Sequence, residues 1–327
     1  MNNVTSIRST LAASIRGGYH MIYTITLNPT IDRLLYLEDE LTKEKNNRLE
    51  SIAYDLGGKG HHGSYAMSKL GVENLALGFC GTTNKSKLEK ILEEKGINHD
   101  FVDIYGKPTR ESYVILEKNI SGSILITERG YAVSSYDKSL LFDKIEEKVE
   151  AEDTVLIAGS MPPGFEITDL EKLLELLKGI GCFIACDLSG EALKTAVKAG
   201  VNFIKPNRFE IQELSTQGES LVDTVKELTK TIEYVIVSQG GKGSLCGHGN
   251  EFYQIGVPTV VVVNDTGAGD CFVGSFLASL AQKKSFVDAL TLATACSASK
   301  VQHKDSTSFN VRDAQNLQKK VTVEKVG

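Results

Sequence analysis

The sequence predicts an α/β protein, built as a mainly parallel sheet covered by helices with a second, small β-sheet set apart from it. Three observations carry this. From Met21 onward, short apolar runs alternate with amphipathic helical stretches, the pattern of strand, crossover helix and strand. Polar segments bearing glycine follow these runs, at the carboxyl ends where ligands bind in parallel sheets. Ile31–Leu37, Arg48–Asp55, Glu111–Glu117 and Ser123–Glu128, rich in β-branched and aromatic residues, interrupt the alternation, and only the turn Asn119–Gly122 separates the last two.

In chain order, Met21–Leu27 reads as a core strand, Ser64–Leu70 opens a helix that Gly71 stops, and Asn74–Cys80 is the next strand. Lys85–Lys95 is helical, with Leu88, Ile91 and Leu92 on one face and Gly96 as its C-cap. Thr154–Ala158, Cys182–Cys186, Val201–Ile204 and Tyr234–Val237 follow as strands, with Asp169–Lys178 as a helix. Pro258–Val263 reads as a further apolar strand, and a long Gly/Ala-rich helix begins near Gly269. The four β-rich segments, within about 31–58 and 109–130, form a lid of the kind that excludes water from a site. No repeat, linker or low-complexity segment divides the chain, so residues 21–320 read as one domain with its lid. Residues 1–20 carry Arg8, Arg16, several Ser and Thr and no acid. They fit a transit peptide weakly and read as a vector-derived leader or a mis-assigned start.

Composition narrows the function. The chain has 327 residues, 41% hydrophobic and 24% charged, enough for a sizeable core. A net charge of -6 and the lack of any long Lys/Arg run exclude nucleic acid as a partner. A small anion needs only local cations and backbone N–H groups. No apolar run reaches the roughly 20 residues of a membrane span. The six cysteines form no CxxC pair and read as reduced, packed thiols, which points to the cytoplasm.

The strongest local signal is Thr266-Gly-Ala-Gly-Asp270, read as a turn between a strand and a helix. Small residues let a ligand approach the backbone, and N–H groups at a helix start favour a phosphate. Gly267, Ala268 and Gly269 are therefore candidates for an anion hole, and Asp270 for a base that takes a hydroxyl proton. A plain helix-start carboxylate is the competing reading of Asp270. Gly57-Gly-Lys-Gly60 follows a lid strand and precedes a helix, and by itself is equally a flexible turn. Asn207 and Glu210, three apart, could position a hydrated Mg²⁺ or simply cap a helix. Ser238–Gly243 suits a nucleotide or a hairpin turn.

The order of these segments resembles the ribokinase-like PfkB sugar kinases from Met21 to about Gln315, and within them the 1-phosphofructokinase and tagatose-6-phosphate kinase branch. The matching segments are Thr26–Asp32, Gly57–Gly60, Thr109-Arg110, Gly159–Gly164, Asp187–Leu193, Ile204–Asn207 with Glu210, Val237–Gly240 and Gly267–Asp270. The resemblance implies a three-layer α/β/α fold and phosphoryl transfer from Mg²⁺–ATP to a ketose phosphate. Fructose 1-phosphate is the foremost acceptor, with tagatose 6-phosphate or another sugar as alternatives, and a catalytically silent sensor as the outlier. It makes Asp270 the base and Gly267, Ala268 and Gly269 the anion hole. Asn207 and Glu210 would serve Mg²⁺–ATP, with Ser238, Gly240 and Gly243 lining the nucleotide site. Asp32 would hold sugar hydroxyls beside Gly57, Gly58 and Lys59, and Arg110 would grip the substrate phosphate, with a lid ion pair as its competing reading. It also suggests a homodimer through the lid sheets.

The departures lie on the sugar side. After Gly-Gly-Lys-Gly the branch continues Ile-Asn-Val-Ala/Ser-Arg, whereas this chain has His61-His-Gly-Ser-Tyr65, so His62 replaces the Asn and Tyr65 the Arg. Ser112 replaces an Asn, and Thr127-Glu-Arg-Gly130 replaces Asn-Glu-Pro-Gly. His62 is expected to face the substrate, not a metal. Asn264-Asp265-Thr266 departs from the usual Asp-Thr-x, which leaves a monovalent-cation site undecided.

Overall fold

The structure is a computed structural model, and it describes residues 20–118, 120, 122–215 and 218–326. The expected leader, apart from His20, lies outside these residues. In chain order come β1 (Ile22–Thr26), β2 (Thr30–Leu37), β3 (Leu49–Gly57), α1 (Lys59–Lys69), β4 (Asn74–Gly81), α2 (Lys85–Glu94) and β5 (Asn98–Ile104). Then follow β6 (Arg110–Leu116), β7 (Ile124–Thr127), α3 (Ser135–Lys148), β8 (Thr154–Ala158), α4 (Ile167–Ile180), β9 (Phe183–Asp187) and α5 (Gly190–Ala199). The last part holds β10 (Phe203–Ile204), α6 (Leu221–Leu228), β11 (Tyr234–Ser238), β12 (Ser244–His248), β13 (Glu251–Gly256), α7 (Ala268–Ala281), α8 (Phe286–Lys300), α9 (Val311–Gln318) and β14 (Thr322–Lys325).

Among the described residues the large sheet has ten strands in the order β14-β13-β12-β11-β10-β9-β8-β1-β4-β5. From β11 to β5 neighbours are parallel; β12, β13 and β14 add an antiparallel edge. The central strands are apolar at nearly every position because helices cover both faces. Side chains alternate between faces with the period of two that a strand imposes. Val155 and Ile157 pack with Leu173 and Leu177 of α4, while Leu156 and Ala158 pack with Val273 and Phe276 of α7. The result is the expected three-layer α/β/α fold. The lid is a separate four-stranded sheet, β3-β2-β6-β7, formed where the chain leaves the main sheet. Among the described residues no helix is long and apolar enough to cross a membrane.

The structure departs from the sequence reading in three places. First, α1 begins at Lys59, five residues before Ser64. Gly58 turns the chain at φ 92°, and Gly60 and Gly63 let the helix lie directly against β1 and α7. Second, Pro258–Val263 is no strand, so α7 follows a loop. Val261 is 75% exposed, and Pro258, Thr259, Val260 and Val262 line a cavity. These residues are apolar because they wall a pocket. Third, β5, α3, α5, α6, the β12–β13 hairpin, α8, α9 and β14 fall where the sequence reading assigns nothing. The buried residues of α3 are only Leu141 and Ile145, too few for a visible stripe. Helix α8 is buried nearly all round, which erases the amphipathic period.

Candidate active site

The carboxyl ends of β1, β9, β10 and β11 deliver Asn28, Asp187, Lys205 and Ser238 to one edge of the sheet, and the start of α7 faces them. Gly267 caps α7 at φ 77°, and a Cβ there would press on the Ser306 carbonyl and come within 2.8 Å of His62 Nδ1. Only glycine fits. The Ala268 N–H donates to the Asp265 carbonyl at 3.2 Å. Gly269 and Asp270 follow in the first helical turn, where intrahelical acceptors run out. The expected hole therefore narrows, because Ala268 has spent its N–H within the loop.

Asp270 Oδ2 accepts a hydrogen bond from His62 Nδ1 at 2.8 Å. Burial alone would raise the Asp270 carboxyl. The His62 hydrogen bond and charge, with Lys59 and Lys205, outweigh burial and hold it below the usual carboxylate range. Both ammonium groups gather on Asp187, with Lys59 Nζ at 3.4 Å and Lys205 Nζ at 3.6 Å from its Oδ1. The Asp187 charge is the main cause lifting Lys59 above the ordinary lysine range. Asp187 is 2% exposed, and among the described residues its other oxygen has no hydrogen-bond partner. A Cβ on Gly269 would lie 3.3 Å from Lys205 Nζ, so this lysine reaches the start of α7. Lys205 and Asp187 are the functional candidates that the motif reading does not single out. Their signal is a charged residue closing an apolar run, at Ile204-Lys205 and Cys186-Asp187.

On the other side of Asp270 the lid strands supply carboxylates. Asp32 on β2 is 3% exposed. Burial pushes its carboxyl up to about 6, against the pull of His62. Its cross-strand neighbour Asp55 binds Lys95 at 2.7 Å and the Ser306 N–H at 2.8 Å. Gly57 is obligatory, since a Cβ would collide with Asp32 Oδ1. His62 lies between these groups, with Nε2 donating to the Leu56 carbonyl at 2.7 Å and 3.9 Å from Asp32 Oδ2. Sequence reasoning expects His62 to face the substrate. The structure gives both of its ring nitrogens to protein acceptors.

Arg110 opens the lid strand β6, and its side chain is committed to main-chain oxygens. Nη2 donates to the Asn28 carbonyl at 2.9 Å, Nη1 to Glu128 at 2.8 Å and Nε to Pro29 at 3.3 Å. The competing reading, a surface ion pair, has no counterpart among these bonds. Ser112, which replaces the familiar Asn, bonds Thr30 at 3.0 Å and faces Thr127, so two of the sequence departures meet across the lid.

Beyond the start of α7 is a cavity of about 560 Å³ lined by Lys205, Ser238, Gly240, Gly243, Ala268 and Gly269. Phe272, Val257, Pro258 and Val301 make its apolar walls. A cleft of this size and mixed lining fits a nucleotide. The turn Ser238–Gly243 both connects the β11–β12 hairpin and borders the cavity, so its two readings coincide. Asn207 and Glu210 engage each other: the Asn207 N–H donates to Glu210 Oε2 at 2.8 Å, and the Glu210 N–H to Asn207 Oδ1 at 3.0 Å. Among the described residues no three Asp, Glu, His or Cys side chains converge as a metal cage. All six cysteines are free and buried.

The site thus pairs a shielded carboxylate with two ammonium groups and a helix start, beside a nucleotide-sized cavity. The sequence model for pfkB family carbohydrate kinases matches residues 25–313. Escherichia coli phosphofructokinase-2, solved with substrates and products, superposes with a TM-score of 0.86 at 24% identity, over 92% of this chain and 99% of that one. A Thermotoga maritima protein described as a possible 1-phosphofructokinase gives 0.82 at 24% identity, over 94% of this chain and 100% of that one. The family match spans most of the chain and all of the clustered residues from Asp32 to Asp270, and the chain belongs to the pfkB family of carbohydrate kinases.

Proposed function

We propose that this carbohydrate kinase transfers the γ-phosphoryl group of ATP to a hydroxyl of a ketose phosphate, foremost fructose 1-phosphate, giving fructose 1,6-bisphosphate. One observation carries the reading: Asp270, kept ionised by His62, Lys59 and Lys205, directly follows Ala268 and Gly269, which line the nucleotide-sized cavity, and its partner His62 lies 3.9 Å from Asp32 of the lid. In the reaction, Asp270 takes the proton of the attacking hydroxyl. Lys205 and the N–H groups at the start of α7 meet the charge that gathers on the γ-phosphoryl. Asp32 orients sugar hydroxyls beside Gly57 and Gly58. Mg²⁺ brought with ATP would offset the phosphate charge, and Glu210 would be the carboxylate that serves it. The reaction belongs in the cytoplasm, where ATP and reduced thiols are supplied.

An ADP-release assay over fructose 1-phosphate, tagatose 6-phosphate, fructose 6-phosphate and free fructose tests this. Turnover is expected with a phosphorylated ketose. Asp270→Asn is expected to lower kcat by about 100-fold or more while ATP still binds. Normal turnover in that variant removes Asp270 as the base.

One observation favours a second reading, an unphosphorylated acceptor, because Arg110 spends its donors on the Asn28, Pro29 and Glu128 carbonyls. The two separate in Arg110→Ala. A rise in the sugar KM of roughly tenfold or more supports a phosphorylated acceptor; an unchanged KM supports a free sugar.

The outer face of the lid exposes Ile52, Tyr54 and Ile126, and we propose that a second copy of the chain covers it. Escherichia coli phosphofructokinase-2 has a tetrameric inhibited form, so association of subunits is known for a protein of this fold.

A further inference from the structure

The imidazole of His62 is 5% exposed and touches acceptors at both nitrogens. Nε2 is 2.7 Å from the Leu56 carbonyl, which can only accept, so Nε2 carries a proton. Nδ1 is 2.8 Å from Asp270 Oδ2. An ionised Asp270 also only accepts, so Nδ1 must carry a proton as well. The alternative placement puts that proton on Asp270 and leaves no base. Removing it altogether sets a nitrogen lone pair against a carboxylate at 2.8 Å.

The surroundings decide where the proton sits. Asp32 Oδ2 is 3.9 Å from Nε2 and adds a second negative charge to the imidazole side. Asp55 lies behind Asp32 and is already paired with Lys95. The charges of Lys59 and Lys205 favour the ionised form of Asp270. On its own helix, His61 Nδ1 donates to the Gly57 carbonyl at 3.0 Å, and burial pushes it down to about 4, so it brings no charge. Burial opposes a charged His62, but the hydrogen bond and charge of Asp270, with Asp32, raise it above the ordinary histidine value.

We propose that His62 is a positioning residue for Asp270: as an imidazolium it fixes the carboxylate that receives the hydroxyl proton, and losing its own proton ends that alignment and sets an alkaline limit to the reaction. This inference rests on Asp270 being the base of the proposed kinase reaction. In the step itself, the sugar oxygen bonds to Pγ, the bond from Pγ to the bridging oxygen breaks, and ADP leaves with the electron pair. The hydroxyl proton moves to Asp270, and His62 keeps both of its protons throughout. Asp270 returns its proton to solvent as products depart.

The test uses the full chain in two arms. In the kinetic arm, kcat for ADP release is followed from about pH 6 to about pH 9.5. Wild type is expected to lose activity on the alkaline side. In His62→Asn the amide can donate from the Nδ1 position without titrating, and this limb is expected to vanish, with the KM for ATP changed less than about threefold. His62→Gln, which keeps the Leu56 contact and loses Asp270, is expected to lower kcat about tenfold or more. The same alkaline limb in wild type and His62→Asn overturns the proposal. The second arm needs no substrate. Ring NMR, with His62→Asn assigning the signal, is expected to show His62 doubly protonated at neutral pH and titrating at least about one unit lower in Asp270→Asn. Titration at the ordinary imidazole value in both proteins overturns the proposal even if no sugar is phosphorylated. A normal NMR result with no turnover of any sugar instead removes the kinase reading and leaves the ion pair standing.

Discussion

Asp32 is a carboxylate kept where burial disfavours its charge. Its folded value of about 6 lies above the ordinary 3.8, so the sign of its effect on stability is fixed. The favourable contribution is complete below about pH 4 and is lost as pH rises through about 6. At neutral pH the ionised group costs on the order of 3 kcal/mol. Asp32→Asn is therefore expected to raise the unfolding temperature at pH 7, with the gap closing toward pH 4, while sugar turnover falls. Equal stability at both pH values contradicts this. At this scale the sequence is legible where one residue type has a narrow set of uses. Gly57, which has no room for a Cβ against Asp32, is such a case. His62 was legible as unusual but not in its role, because its partners, Asp270 and the Leu56 carbonyl, are 208 and 6 residues away.

Two helices bring His62 to Asp270. Helix α1 crosses α7 where Gly63 meets Gly274, and a Cβ at Gly274 would run into the Gly63 carbonyl and come within 2.8 Å of the Ala66 Cβ. Gly274→Ala is expected to force the helices apart and cost about 1–3 kcal/mol, measured by urea denaturation. It is also expected to lower kcat more than it changes the KM for ATP, because it separates Asp270 from His62 and leaves the nucleotide-sized cavity intact. An unchanged kcat in a destabilised protein shows that the helix contact supports only the fold. The loop before α7 is held in another way: the Lys300 ammonium, fully buried, donates to the Asn264 carbonyl at 2.9 Å. Elements with a strong period were readable in advance, β1, β4, α2 and β8 among them. Pro258–Val263 was misread because apolar residues lining a cavity and apolar residues in a strand carry the same pattern. The long helix α8 was silent for the opposite reason, since burial on all sides leaves no polar face to mark the turns.

At the scale of the whole molecule, the lid joins the two ends of the site. Its inner face carries Asp32 and Ser112, and Ser123 at its edge bonds Asp265 at 3.1 Å and Thr266 at 2.9 Å, next to the start of α7. Its outer face exposes Ile52 and Ile126 at 44% and 54%, an apolar sheet surface that water covers poorly. Sedimentation is expected to find a dimer of the wild-type chain, and Ile52→Lys with Ile126→Lys is expected to yield a monomer. A wild-type monomer, or a dimer that survives both changes, removes the lid as the interface.

The sequence by itself determined the layered α/β class, the lid strands and the family. Each depends on local periodicity, turn chemistry and the order of short motifs, which the chain carries without reference to its neighbours. Only the tertiary structure decided that Lys205 and Lys59 share Asp187, that Arg110 is tied to main-chain carbonyls, and that His62 is the partner of Asp270. Those are contacts between residues far apart in the chain. Their energies depend on burial and on charges brought within a few ångströms, and no spacing along a sequence encodes such distances.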